Sequence, residues 1–303
     1  MLAAAVPPRP PYVFPSANVL YQPAFVPVAA ARAVTPTSDV NLLSLFGWTL
    51  GGVFVVEWHD SPIGPYRETA VLSGLVVRGL SLGAWASHII VTTPEAVTAG
   101  VDVFGLPARL GRVEFEARPD VASLDRRGAL TTAGVRAVRE MAASAALICK
   151  TALGTAVPGV AEPAERLRPQ TAASEDSESW FRFDADNVMS VVGWDGWLND
   201  GVDCTGDAER PSGPSISLPS FSGCLPQHGG SIDERSALLR YPLRLGPAHR
   251  VRLRPAMATH LGPGAVLSEE LEAILLGGPC ACPCIQVDRV QVEAGVPVEF
   301  PPS

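Results

Sequence analysis

The chain is predicted to be a mainly β protein of the α+β class, with a helical and loop insertion, on three observations. Several segments alternate polar and apolar residues with period two. Three longer segments are almost continuously apolar. A single segment, 131–150, carries apolar residues at helical spacing.

The alternating segments come first. In "LGRVEFEAR" (110–118), Leu110, Val113, Phe115 and Ala117 contrast with Arg112, Glu114, Glu116 and Arg118. In "RVRLRPA" (250–256), Val251 and Leu253 alternate with Arg250, Arg252 and Arg254. Both patterns predict a half-buried antiparallel strand with one face in water. Near the C-terminus "IQVDRVQVE" keeps Ile285 and Val287 in phase and then shifts to Val290 and Val292, which a β-bulge would explain. The continuously apolar stretches 51–58, 68–78 and 84–93 predict strands covered on both sides.

The segment "TTAGVRAVREMAASAALICK" (131–150) places Val135, Val138, Met141, Ala145 and Ile148 on one helical face, and a Pro-, Ala- and acid-rich stretch follows it. Together 119–179 predict a helix-and-loop insertion into one domain that spans 1–303.

Composition narrows the function. At 303 residues the chain can bury a sizeable core. Its formal charge of −8, without a basic stripe, argues against a nucleic-acid partner. Of the 23 basic residues only Lys150 is lysine, so chemistry that needs an amine has one candidate. Six cysteines in a chain of this length do not make a disulfide framework. The longest charge-free apolar run, "VNLLSLFGWTLGGVFVV" (40–56), has 17 residues and three glycines, and it predicts a buried strand and no membrane span. The N-terminus reads as neither a secretory signal nor a transit peptide. A soluble intracellular protein is expected.

The stretch "HDSPIGPYRE" (59–68) carries the sharpest local signal. Asp60-Ser61-Pro62 and Gly64-Pro65 are two turn signals in succession, and they deliver Tyr66, Arg67 and Glu68 to the mouth of an apolar strand. A carboxylate there must find a cation or take a raised pKa, and Arg67 cannot face the same way as its direct neighbour. A structural ion pair is the plainer outcome. In "AWASHIIV" (84–91), His88 falls on a face with Ala84, Ala86 and Ile90, where it is a core or pocket histidine with room for a small ligand nearby.

Combined with "FGLPARLG" (104–111) and "PPYVF" (10–14), the turn at 59–68 resembles the acetoacetate decarboxylase superfamily. Its members share an SP-x-GPY-x-E turn and a later Gly-x-Pro-Lys-Lys-Leu-Gly turn. The resemblance implies an antiparallel β-cone or barrel. In that family the first lysine of the pair forms a Schiff base with a keto acid, and the second lowers its pKa by proximity. Here those positions hold Ala108 and Arg109, and neither can form an imine.

Within the superfamily, "LYQPAFV", "FGWTLGGVFVVEWHDSPIGPYRE", "AWASHIIV", "GLPARLGRVEF" and "GPSISLPSFSG" are similar to plant and algal neoxanthin-deficient type proteins. That resemblance implies a requirement for accumulating the xanthophyll neoxanthin, in the cytoplasm or the chloroplast. The expected ligand is a carotenoid or other apolar small molecule, with Tyr66, Arg67, Trp85, Pro107 and Ala108 lining the site. No cofactor is implied, and oligomerisation is an expectation from the decarboxylases. An acid–base alternative opens the epoxide of violaxanthin with Glu68 as acid, His88 as base and Arg109 on the developing alkoxide. A divergent decarboxylase-like lyase is the remaining alternative, with Lys150 as its one amine.

Other motifs read as structural. Cys280, Cys282 and Cys284 in "PCACPC" lack the spacing of zinc ligands. Asp184, Asp186 and Asn187 lack the calcium-loop pattern. Trp194 and Trp197 could stack on a polyene or plug a core. No metal site is expected.

Overall fold

Seven strands close on themselves in the computed structural model of the chain, which describes residues 7–36, 40–116, 180–192, 202–203, 216–223, 238–254, 256–277 and 282–300. In chain order the first elements are β1 (Tyr12–Pro27), α1 (Val28–Ala33), β2 (Asn41–Leu42), β3 (Trp48–Asp60), β4 (Tyr66–Arg78) and β5 (Ser81–Val91). Then come α2 (Pro94–Thr98), a π-helical turn (Ala99–Val103), β6 (Ala108–Leu110), β7 (Val113–Glu116), β8 (Trp180–Phe183) and β9 (Met189–Val192). The rest are β10 (Val202–Asp203), β11 (Ile216–Ser222), β12 (Leu239–Leu245), β13 (Arg250–Arg254), β14 (Ala258–Leu261), α3 (Glu269–Leu276), β15 (Cys284–Ala294) and β16 (Val298–Glu299).

The barrel order is β15-β1-β3-β4-β5-β11-β12, and β12 returns to β15 through the pairs Leu243↔Ala294, Arg244↔Glu293 and Leu245↔Val292. Neighbours are antiparallel except β5 and β11, which run parallel. Because side chains alternate along each strand, closure turns one set inward. Tyr12, Phe14, Val56, Trp58, Tyr241, Val290 and Val292 form that interior cluster with Phe104.

The outward set is covered too, which explains the continuous apolar runs. Leu20, Val53 and Val55 pack on Phe181, Phe183, Met189 and Val191 of a second sheet, ordered β14-β8-β9-β7. Val26 and Val71 pack on Ala30 and Ala31 of α1 and on Leu271 and Ile274 of α3. Each such side chain, fully buried, contributes roughly 1.5–3 kcal/mol.

Two expectations need correction. The segment 110–118 is not one strand. The chain passes from one sheet to the other at Gly111, where a Cβ would lie 2.5 Å from Cγ2 of Ile90, so β6 joins β5 and β7 joins β9. Leu110 consequently sits 60% exposed. In β13 the arginine face is not in water: Arg252 and Arg254 are buried. The bulge near 288 is present. Opposite β1, the pairing steps from Val19↔Val287 to Ala17↔Val290, and Arg289 takes a positive φ of 49°. The region 119–179, with Lys150, and residues Trp194, Trp197 and Cys280 lie outside the described residues.

Strands β1, β3 and β4 approach closely where Gly51 and Gly52 stand. A Cβ on Gly51 would lie 2.2 Å from the Leu72 carbonyl oxygen. Gly51→Ala is therefore expected to destabilise the protein by about 3 kcal/mol through backbone displacement. A urea midpoint equal to that of the parent chain would contradict the packing described.

Candidate functional site

The turn before β4 fixes the site. Ser61 accepts from the Ile63 amide through Oγ (3.2 Å) and from the Gly64 amide through its carbonyl (3.1 Å). Gly64 takes φ +89°, a left-handed value that glycine adopts without strain. The chain then enters β4 with Tyr66 opposite Trp58 and Glu68 opposite Val56. Tyr66 and Glu68, two apart on one strand, face the barrel interior, while Arg67 between them faces out.

Inside lies a cavity of about 110 Å³. Six of the seven barrel strands line it, and the segment 96–108 closes its side with Ala96, Ala99, Gly100, Phe104, Leu106 and Ala108. Rings form much of its wall. Phe14 stacks near Trp58 (4.2 Å between centroids), Trp58 lies 5.9 Å from Tyr66, and Phe104 lies 5.1 Å from both Tyr12 and Tyr241. Gly105 turns the covering segment with φ +59° and accepts from the Gly223 amide (2.9 Å), which ties it to the end of β11. The Ser222 hydroxyl donates to the Phe104 carbonyl at the same junction.

Among the described residues Glu68 is the one carboxyl that lines the cavity, and no Lys, Arg or His lines it. Its carboxyl accepts from the Trp58 indole N–H (3.0 Å) and from the Tyr66 hydroxyl. Burial pushes the Glu68 pKa up, and these two donors only partly oppose that. Tyr66 is pushed well up by burial and by the neighbouring Glu68, so it remains a phenol. Tyr241 is raised by burial and then by Glu68, against a hydrogen bond from Ser220. The site thus offers a carboxyl able to hold its proton above the usual glutamate range, set among phenol hydroxyls. Such a group can donate to a neutral oxygen or pass a proton to it.

The predicted site residues divide between two faces of the sheet. Glu68, Tyr66 and Ala108 line the cavity together. Ala108 pairs with Ile89, and a Cβ on Gly100 would lie 2.8 Å from its methyl, so glycine at 100 makes room for it. Pro107 is half-buried between two lining residues without lining the cavity itself. Arg67 faces an outer cleft, where it pairs with Glu57 (3.2 Å) and lies 4.7 Å over the Phe115 ring.

Trp85 is buried at the other end of the barrel with Val40, Val76, Phe221 and Leu238, away from the cavity. His88 and Arg109 pair with Val71 and Ile90 on the outward face, so they are not brought to Glu68. A register shift at Ser87 sets Ala86 opposite Leu72 and His88 opposite Val71, which separates His88 from the small neighbours expected beside it. His88 approaches Ser87 Oγ (2.9 Å), and burial and then Arg109 hold its pKa down. Sequence reasoning missed Tyr12, Trp58, Tyr241 and Ser220. Tyr12 stands within the quoted "PPYVF", but only barrel closure places Tyr241 beside it.

Among the described residues no three His, Cys, Asp or Glu side chains group as metal ligands. No helix among them is long and apolar enough to cross a membrane.

This architecture has counterparts among solved structures. An acetoacetate decarboxylase superposes with a TM-score of 0.51 at 12% identity, over 97% of this chain and 90% of that one. The acetoacetate decarboxylase of Legionella pneumophila gives 0.51 at 11%, over 98% and 90%. The protein therefore has the acetoacetate decarboxylase-like fold, and at these identities the likeness concerns the fold alone.

In sequence, the chain is similar to Protein NEOXANTHIN-DEFICIENT 1 of Arabidopsis thaliana, at 38% identity over 104 residues, 34% of this chain and 36% of that protein. The rice protein of the same name (Oryza sativa subsp. japonica) is 39% identical over 101 residues, 33% of each chain. The match thus spans about a third of the length of these relatives. No family model matches the chain.

A carboxyl whose folded pKa is raised adds stability that is complete below its unfolded pKa and is lost as pH rises through the folded value. The Glu68 contribution should therefore disappear between the ordinary glutamate range and a higher pH. Compared with Glu68→Gln in thermal melts, the parent chain should lose ground as pH rises and regain it in acid. A pH-independent difference would contradict the burial of this carboxyl.

Proposed function

We propose that the barrel cavity binds the oxygenated end group of a neutral carotenoid-type ligand, without a covalent step, in support of neoxanthin formation. The observation that carries this reading is the pairing of Ala108 and Glu68 on one cavity wall. Where a decarboxylase of this fold would need an amine, the chain presents a methyl group. A keto acid would also bring a carboxylate to a wall whose one carboxyl, among the described residues, is Glu68, and which no described Lys, Arg or His lines. A hydroxyl, carbonyl or epoxide oxygen suits the wall better, because it can accept from a protonated carboxyl.

The cavity is too small for a whole carotenoid, and to admit an end group's ring its aromatic walls must move. Pockets that enclose a complete small molecule run to roughly 300–1,000 Å³, against about 110 Å³ here. Trp58 and Tyr66 line both this cavity and the outer cleft of about 380 Å³, so displacing their rings would join the two spaces for the rest of the ligand.

A second reading is favoured by the same carboxyl. Protonated Glu68 could open a 5,6-epoxide by giving its proton to the oxygen as the C–O bond breaks. The carboxylate left behind would then take the proton released from carbon as the allene forms, so the net change is an isomerisation. With His88 and Arg109 on the other face, this route uses Glu68 alone, flanked by Tyr66.

The test is incubation of the purified protein with violaxanthin or neoxanthin, followed by chromatography of the bound pigment. Retention of unchanged pigment supports the binding reading, with affinity expected to fall about tenfold in Glu68→Gln from one weakened hydrogen bond. Conversion of violaxanthin to neoxanthin, abolished in Glu68→Gln, would establish the second reading instead. Failure to bind either pigment would overturn both. Borohydride reduction in the presence of acetoacetate should trap no adduct, and a labelled lysine would return the chain to imine chemistry.

A further inference from the structure

We propose that the barrel end opposite the cavity docks on a neutral lipid surface, with Phe46 as the inserted side chain. The turn from Leu45 to Trp48 joins β2 to β3, and its two central residues, Phe46 and Gly47, have φ of 50° and 82°. Turns of this hand take Asn, Asp or Gly at the first central position, since a Cβ is strained there. Phe46 is the least suitable kind of residue for the site, and its ring is 80% exposed. At that exposure, packing among the described residues does not offset the strain. A bulky residue kept in a disfavoured conformation in order to stand in water points to an external partner.

Three further observations favour lipid over protein as that partner. The turn stands in open space: a Cβ on Gly47 would meet nothing within 4 Å, and Phe46 and Leu45 are exposed beside it, so it offers a wedge. Its backbone is partly closed: the Leu45 amide donates to the Trp48 carbonyl (2.8 Å), the Trp48 amide donates back (3.0 Å), and the Val28 amide donates to the Gly47 carbonyl (3.0 Å). Groups paired in this way lose little on entering the boundary of an apolar phase. Residues 40–56 also contain no charge, so nothing on the segment resists insertion.

The neighbouring turn adds to the surface. Residues Asn41 and Leu42 pair with Val77 and Val76, and Arg78 pairs with Ser81 across the β4–β5 turn, so both turns lie at the same barrel end. Leu80 at that second turn is 91% exposed. One cation there, Arg78, lies 5.0 Å over the Phe300 ring. With a net charge of −8, the protein has no general attraction to anionic bilayers, so the expected contact is apolar insertion into zwitterionic lipid, as for aromatic anchors at membrane interfaces. Glu68 and Arg78 are ten residues apart on β4, about 33 Å of extended strand, so docking leaves the cavity uncovered.

The test is flotation of the full chain with phosphatidylcholine vesicles at low and raised salt. The parent chain is expected to float in both, since apolar insertion is not screened. Phe46→Gly should lower vesicle partition about tenfold or more, and its melting temperature should not fall, because glycine relieves the turn. Phe46→Trp should retain flotation. A parent chain that stays at the bottom of the gradient overturns the proposal, as does a Phe46→Gly variant that floats equally well. A dimer of the parent chain that Phe46→Gly dissociates, without vesicle binding, would assign the tip to a second copy and overturn it too.

Discussion

Three residue pairs between β12 and β15 make an inside. Without Leu243↔Ala294, Arg244↔Glu293 and Leu245↔Val292, the sheet would have two open edges and its inner residues would face a trough. With them, strands far apart in sequence face one another across a few ångströms. Tyr12 and Phe14 near the N-terminus meet Val292 and Ala294 near the C-terminus, and Tyr241 joins them from β12. Everything argued about the cavity depends on that closure, because only a closed barrel takes a carboxyl on β4 out of bulk water.

The enclosed wall presents a mixed chemistry. Aromatic and aliphatic side chains dominate it, and the polar groups converge at one place around Glu68. Position 108, on the same cavity lining, carries only a methyl group. The carboxyl's neighbours are the Trp58 N–H and the Tyr66 hydroxyl, which are weaker stabilisers of negative charge than a cation. Burial is the first cause of the raised Glu68 pKa, and these two donors oppose it only in part.

Much of this architecture was legible from one sequence. The apolar continuity of β3, β4 and β5 correctly announced strands covered on both sides, and the slip between Val287 and Val290 announced a bulge. The turn motif at 61–65 located the mouth of β4, and the motif at 104–111 located a wall that does line the cavity. What escaped was the choice of face. When both sides of a strand are apolar, alternation gives two sets of residues without saying which is inside, and the shift at Ser87 moves the sets past one another. Chemical type alone groups His88 and Arg109 with Glu68, yet the register puts them across the sheet. Arg252 and Arg254 show the same limit, since alternation marks them polar without revealing that they are buried. Tyr241 depended on closure, a contact between distant segments that local pattern does not encode.

The most direct test of this account concerns the state of one proton. Infrared difference spectra of the parent chain and Glu68→Gln, followed from acid to mildly alkaline pH, isolate the carboxyl stretch of Glu68. The account predicts a protonated-carboxyl band that persists above the range in which ordinary glutamates ionise. A band that titrates with exposed carboxylates would mean that Glu68 reaches water or a cation, and the neutral-ligand cavity would be wrong.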